Sequence, residues 1–108
     1  MDVTRTPQNN TGIADSARYE RQLQLPEIGP EGQRLLAQTS VAVVGAGGLG
    51  APILYYLTAA GIGRIAIIDC DVVSPSNLQR QILYCEADLA HPKAIQAQKR
   101  LTALNSTL

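Results

Sequence analysis

Apolar positions recur at different periods along this chain, and each change of period marks an element. Residues 1 to 16 are polar and turn-rich, and are expected to form a poorly ordered tail. The stretch SARYERQLQL is amphipathic, and Pro26 to Pro30 reads as a turn. EGQRLLAQ predicts a short helix with Leu35 and Leu36 facing inward. Val41 to Gly45 is a β-branched run bounded by polar residues and glycine, the pattern of a short buried strand. Leu49 to Ala60 returns to helical spacing, with Leu54, Leu57 and Thr58 on the buried side and Gly61 where a helix stop belongs. Arg64 to Asp69 is a second strand. The loop at Ser74, Pro75, Ser76 and Asn77 comes next, with a short helix expected around Leu78 to Leu83. Pro92 suits a first helical turn, and Ala94, Ala97, Leu101 and Leu104 continue at three- and four-residue spacing.

Strand, helix, strand, helix in this order predicts an α/β fold: the N-terminal half of a doubly wound parallel sheet, preceded by short helices. Parallel strands are normally covered on both faces and paired on both sides. Two strands with their helices leave edges and apolar faces open, so the expectation is a piece of a larger domain. Composition narrows the function classes. A chain of 108 residues with 45% apolar content can build one small core. Its formal net charge of zero gives no electrostatic footprint for nucleic acid or a membrane surface. Without Phe or Trp there is no stacking platform for single strands. The N-terminus lacks the apolar core of a secretory signal, and no run nears the roughly 18 apolar residues that span a bilayer. A cytoplasmic location is therefore the default. Cys70 and Cys85 form no C-x-x-C pair and no metal site with His91, and read as structural or incidental.

The chemistry concentrates in VAVVGAGGLG. Gly45, Gly47 and Gly50 give the spacing G-x-G-x-x-G between a strand and a helix, and Asp69 lies 19 residues beyond Gly50. The first glycine permits the backbone angles of a sharp turn. The next lets phosphate oxygens approach the main chain, and the last lets helix and strand pack closely. Unpaired N–H groups at the helix start can bind an anion, so Gly47 and Gly48 are expected to face phosphates. Asp69 is placed to accept hydrogen bonds from ribose hydroxyls. The bland alternative is a glycine turn that only packs.

Arg18-Tyr19-Glu20-Arg21-Gln22, then GAGGLG, IIDCDVV, SNLQRQ and HPKA follow one another in an order that resembles the ThiF/MoeB/HesA family. Its members include bacterial adenylyltransferases that activate the sulfur carriers of molybdopterin synthase and thiamine synthesis, and ubiquitin-activating enzymes share its adenylation fold. The resemblance covers about Ala17 to Leu108. It implies a Rossmann-like, ThiF-type nucleotide-binding domain from 17 to 108 that stops before the magnesium, cysteine and carrier-binding regions. It also implies that Gly48 meets ATP through its backbone and that Asp69 binds the ribose. Ser76, Asn77, Leu78, Gln79 and Arg80 match the nucleotide-contacting stretch, with Asn77 and Arg80 on the phosphates. Lys93 matches a lysine near the triphosphate. Arg21 matches an arginine that reaches a partner subunit's site, so a homodimer is implied.

These basic residues suit the reaction the resemblance implies. A carboxylate attacking an α-phosphate that expels pyrophosphate brings anions together, and cations must offset their repulsion. Arg80 and Arg21 offer planar forks and Lys93 a compact charge. The expected activity is ATP-dependent adenylation of the C-terminal glycine of a ubiquitin-like sulfur carrier, with Mg²⁺ bridging phosphates. The family's magnesium aspartate, reactive cysteine and zinc-binding C-x-x-C pairs match nothing here, so the chain by itself is expected to be incomplete for catalysis, with no metal site of its own. Two other readings stand beside it. One is a truncated, non-catalytic module that binds nucleotide or dimerises. The other is an NAD-dependent oxidoreductase, resting on the glycine motif and Asp69 alone.

Overall fold

The structure is a computed structural model that describes residues 2–3 and 15–108. Three strands form one sheet in the order β1-β3-β2: β1 is Asp2–Val3, β2 is Ser40–Val44 and β3 is Arg64–Ile68. β2 and β3 run parallel and in step, Val41 opposite Ile65 and Val43 opposite Ile67. β1 pairs antiparallel with β3, Asp2 opposite Ala66, which the polar patterning of the tail does not anticipate. The rest of the expected tail, residues 4–14, lies outside the described residues.

The helices are α1 (Asp15–Arg18), α2 (Glu20–Leu23), α3 (Gly29–Ala37), α4 (Gly50–Ala60) and α5 (Lys93–Leu104). α4 is the crossover between the parallel strands, as the pattern predicts. Its buried side carries Ala51, Leu54 and Thr58, with Leu57 packed against the core. Gly61 ends it with φ +101°, a left-handed angle natural to glycine. α4 and α5 pack together over one face of the sheet, onto Ile65 and Ile67. Leu83, Ala97, Leu101 and Leu108 complete this core.

Three expectations need correction. The strand at Val41–Gly45 is not buried on both faces. Val41 and Val43 reach the core, but Ala42 and Val44 face outward and Val44 is 79% exposed. Among the described residues β2 is an edge strand with helices on one face only, so alternate residues alone find cover. Leu35 is likewise 51% exposed, whereas Leu36 packs inward. The inner face of α3 is centred on Gln33. Its amide nitrogen donates to the Ala60 carbonyl at 3.0 Å and its oxygen accepts from Gln22 Nε2 at 2.8 Å. That pairing caps α4 and turns Leu35 outward, a polar anchor that hydrophobic spacing cannot reveal. Finally, no helix forms over Leu78–Leu83. A 3₁₀ turn at Pro75–Asn77 takes its place, because Asn77 Oδ1 accepts both the N–H and the hydroxyl of Ser74 and tightens the chain. A second 3₁₀ turn occupies Glu86–Asp88.

Candidate nucleotide site

The glycine turn joins β2 to α4 and is held at both ends. Gly45 has φ +92°, and its N–H bonds the Ile68 carbonyl at 2.8 Å, extending the parallel ladder. A Cβ on Gly50 would lie 1.8 Å from the Gly45 carbonyl oxygen, so the turn closes only if residue 50 is glycine. Between them Ala46 is buried and doubly tied. Its N–H donates to Asp69 Oδ2 at 2.8 Å, and its carbonyl accepts the Tyr84 hydroxyl at 2.6 Å. Asp69 Oδ1 takes the Asp71 N–H at 2.8 Å. Asp69 thus fastens the ends of both strands, and each oxygen keeps lone-pair capacity for a hydroxyl donor.

Gly47 and Gly48 are different. Neither has a positive φ, and neither vacant Cβ position abuts backbone. The α4 start has no side-chain cap and no acidic residue in its first turn. Ala51 and Ile53 already donate to the Gly47 and Leu49 carbonyls and Pro52 has no N–H, so an anion here meets the helix dipole and the N–H groups of Gly48, Leu49 and Gly50. Here the structure separates the motif: Gly45 and Gly50 serve the fold, Gly47 and Gly48 leave access.

The loop after β3 folds back over this turn. Arg80 Nε lies 3.9 Å from the point a Gly48 Cβ would occupy, and Nη1 donates to the Ser76 carbonyl at 2.9 Å. The guanidinium is exposed and aimed by its own loop. Asn77 is buried, and its oxygen is engaged by Ser74, which leaves its amide nitrogen for a ligand. Ser76 and Gln79 are exposed, while Leu78 packs on the core. Lys93 opens α5. Its N–H donates to the Asp71 carbonyl at 2.9 Å, and Val72 bridges Pro92, so the segment after Asp69 and the start of α5 are stitched together. Only 6% of Lys93 is exposed, rare for a lysine with no ion pair among the described residues.

The comparisons with known proteins bear on this geometry. The model of the ThiF family matches residues 19–108. The chain belongs to the ThiF family. It is 59% identical over 88 residues to the sulfur carrier protein adenylyltransferase of Thermus thermophilus, covering 82% of this chain and 32% of that protein. It is 51% identical over 94 residues to the adenylyltransferase and sulfurtransferase MOCS3 of Danio rerio, covering 87% of this chain and 20% of that one. The crystal structure of E. coli MccB with ATP superposes with a TM-score of 0.76 at 32% identity, over 84% of this chain and 29% of that one. The chain thus spans between a fifth and a third of the length of these relatives.

Membership in the ThiF family directs attention to positions the chain itself separates. Arg21 is exposed on α2, beside Gln22, whose amide donates to the Ala60 carbonyl at 3.0 Å. That is the far end of α4, about 16 Å from the glycine turn at 1.5 Å per residue. A cavity of about 400 Å³ lies at the same end, lined by Tyr19, Gln33, Gly61 and Thr107 among others, and shares no residue with the glycine turn. Cys70 and Cys85 are exposed and unpaired by disulfide, and Cys85 Sγ accepts from Arg100 at 3.2 Å. Among the described residues no group of three His, Cys, Asp or Glu side chains is placed to hold a metal ion, and no helix is long and apolar enough to cross a membrane. Sequence reasoning missed Tyr84 and Gln81. Tyr84 carries no motif signal, whereas Gln81 stands at the end of SNLQRQ and was within reach.

Proposed function

We propose that this site binds ATP and serves the adenylation of the C-terminal carboxylate of a ubiquitin-like sulfur carrier. The observation that carries the reading is the approach of Arg80 Nε to within 3.9 Å of the vacant Gly48 Cβ position, which brings a planar cation beside a helix start with no side-chain cap. The carboxylate oxygen attacks the α-phosphorus, the bond to the pyrophosphate oxygen breaks, and an acyl-adenylate and pyrophosphate result. In this reading the N–H groups of the glycine turn and Arg80 bind phosphate oxygens and offset charge that builds in the transition state. Lys93 supplies a second cation from the start of α5, and the Asp69 carboxylate accepts from the ribose. Ser76, Asn77, Leu78 and Gln79 shape the loop that carries Arg80. Magnesium accompanying ATP would be held by phosphate oxygens and by carboxylates beyond this donor set, so none of these steps runs through it.

Arg21 sits at the wrong end of α4 to act in its own chain, which supports its action on a second copy and hence a homodimer. The names of the relatives support the carrier as substrate: one is a sulfur carrier protein adenylyltransferase and another an adenylyltransferase and sulfurtransferase. The test is exchange of labelled pyrophosphate into ATP, driven by a carrier ending in glycine, in a catalytically complete enzyme that carries this segment. Arg80→Ala should abolish exchange; full exchange in that variant would remove Arg80 from the phosphates.

A further inference from the structure

The two free glycines of the turn face two consecutive side chains. Gly48 faces Arg80, and Gly47 faces Gln81. The Gln81 amide lies within van der Waals reach of the vacant Gly47 Cβ position, with Nε2, Cδ and Oε1 at 3.4, 3.6 and 3.7 Å from it. Gln81 is only 4% exposed, and its Oε1 is buried with no hydrogen-bond partner. Its backbone is fully used: its N–H donates to the Asn77 carbonyl at 2.8 Å, and its carbonyl accepts from Tyr84 at 3.1 Å. The side chain is therefore placed by the loop and contributes nothing to closing it. A buried amide end without a partner lowers stability, and a group of leucine or methionine size would fill the space at no such cost.

Resting on the adenine-nucleotide reading above, we propose that Gln81 is a further nucleotide-binding residue, its carboxamide meeting the phosphate chain at Gly47 as Arg80 meets it at Gly48. The last torsion of glutamine is soft and two-fold, so nitrogen and oxygen exchange places by rotation and the N–H₂ end donates to a phosphate oxygen.

The experiment is calorimetric titration of the protein and of Gln81→Met with ATP and with adenosine, alongside thermal unfolding of both without ligand. Methionine keeps the length and removes the unpaired amide. A ligand contact predicts a Tm equal to or above the parent's, ATP binding weakened about tenfold, and adenosine binding unchanged. ATP affinity within twofold of the parent would overturn the proposal and leave the site reading standing. Equal losses for ATP and adenosine would also overturn it, by assigning the effect to the fold. A parent protein that binds no ATP would take both down together. Gln81→Glu gives an independent arm: a carboxylate at that place should weaken ATP more than methionine does.

Discussion

At the residue scale the four motif glycines divide into two jobs, and the contacts around each vacant Cβ position show how sharply. Gly50→Ala would drive a methyl to 1.8 Å from the Gly45 carbonyl oxygen, so it should destabilise the fold by on the order of 3 kcal/mol or more. Gly48→Ala meets only Arg80 Nε at 3.9 Å and should leave stability within about 1 kcal/mol. It should nonetheless weaken ATP binding, because the methyl obstructs phosphate approach. Urea unfolding with nucleotide titration of the two variants checks this split. Tyr84 makes a different prediction. Burial, with Asp69 and then Asp88 adding to it, raises its phenol well above the ordinary value. A folded pKa above the unfolded one means the unfolded chain gives up its proton first as pH rises. The stabilisation is therefore full below about pH 10 and is lost progressively above it. Tyr84→Phe should cost roughly 1–3 kcal/mol at neutral pH, since the Ala46 carbonyl loses its donor, and should flatten the alkaline loss of stability. Unfolding midpoints from pH 7 to 11 test both.

At the scale of elements, the two parallel strands, the crossover helix and the last helix were legible in hydrophobic period alone, and Gly61 marked the stop of the crossover helix. What periodicity could not show was polar anchoring. Gln33 and Gln22 cap the last carbonyl of α4, and they decide that Leu36 rather than Leu35 faces inward. Asn105 does the same work at the end of α5. It is buried, its amide donates to Tyr19 Oη at 2.8 Å and to the Thr58 carbonyl at 3.1 Å, and it ties Tyr19, between α1 and α2, to α4 and α5. Asn105→Ala should destabilise by about 1–3 kcal/mol through loss of its bonds to Tyr19 Oη and the Thr58 carbonyl, and hydrogen exchange should quicken at the C-terminal turn of α4 rather than at the glycine turn. The loop of residues 74–83 shows the same limit. Apolar spacing at Leu78 and Leu83 predicts a helix, but the Ser74–Asn77 side-chain bonds hold a 3₁₀ turn, and that tight turn is what delivers Arg80 to Gly48. The motif order pointed to the family, while the hydrogen bonds that build the turn and its covering loop lay outside any pattern of apolar residues.

For the whole molecule, helices cover one face of the sheet, and Val44 and Ile68 stand exposed on the other, as expected for strands of a doubly wound sheet described in part. Arg80 lies at the glycine turn, and Arg21 a helix length away. If Arg21 acts in a second copy, mixing inactive Arg21→Ala and Arg80→Ala proteins should restore part of the activity, because each mixed dimer contains one intact site. Action within one chain would leave every site defective and the mixture inactive. The central claim is that the turn and the Arg80 loop together select a triphosphate rather than a dinucleotide. Equilibrium titration of the protein with ATP and with NAD, repeated with Arg80→Ala, tests it most directly. The account predicts that ATP binds and NAD binds far more weakly, with Arg80→Ala reducing ATP affinity on the order of tenfold or more. Tighter binding of NAD, unaffected by Arg80→Ala, would contradict it and place the site among dinucleotide-dependent oxidoreductases.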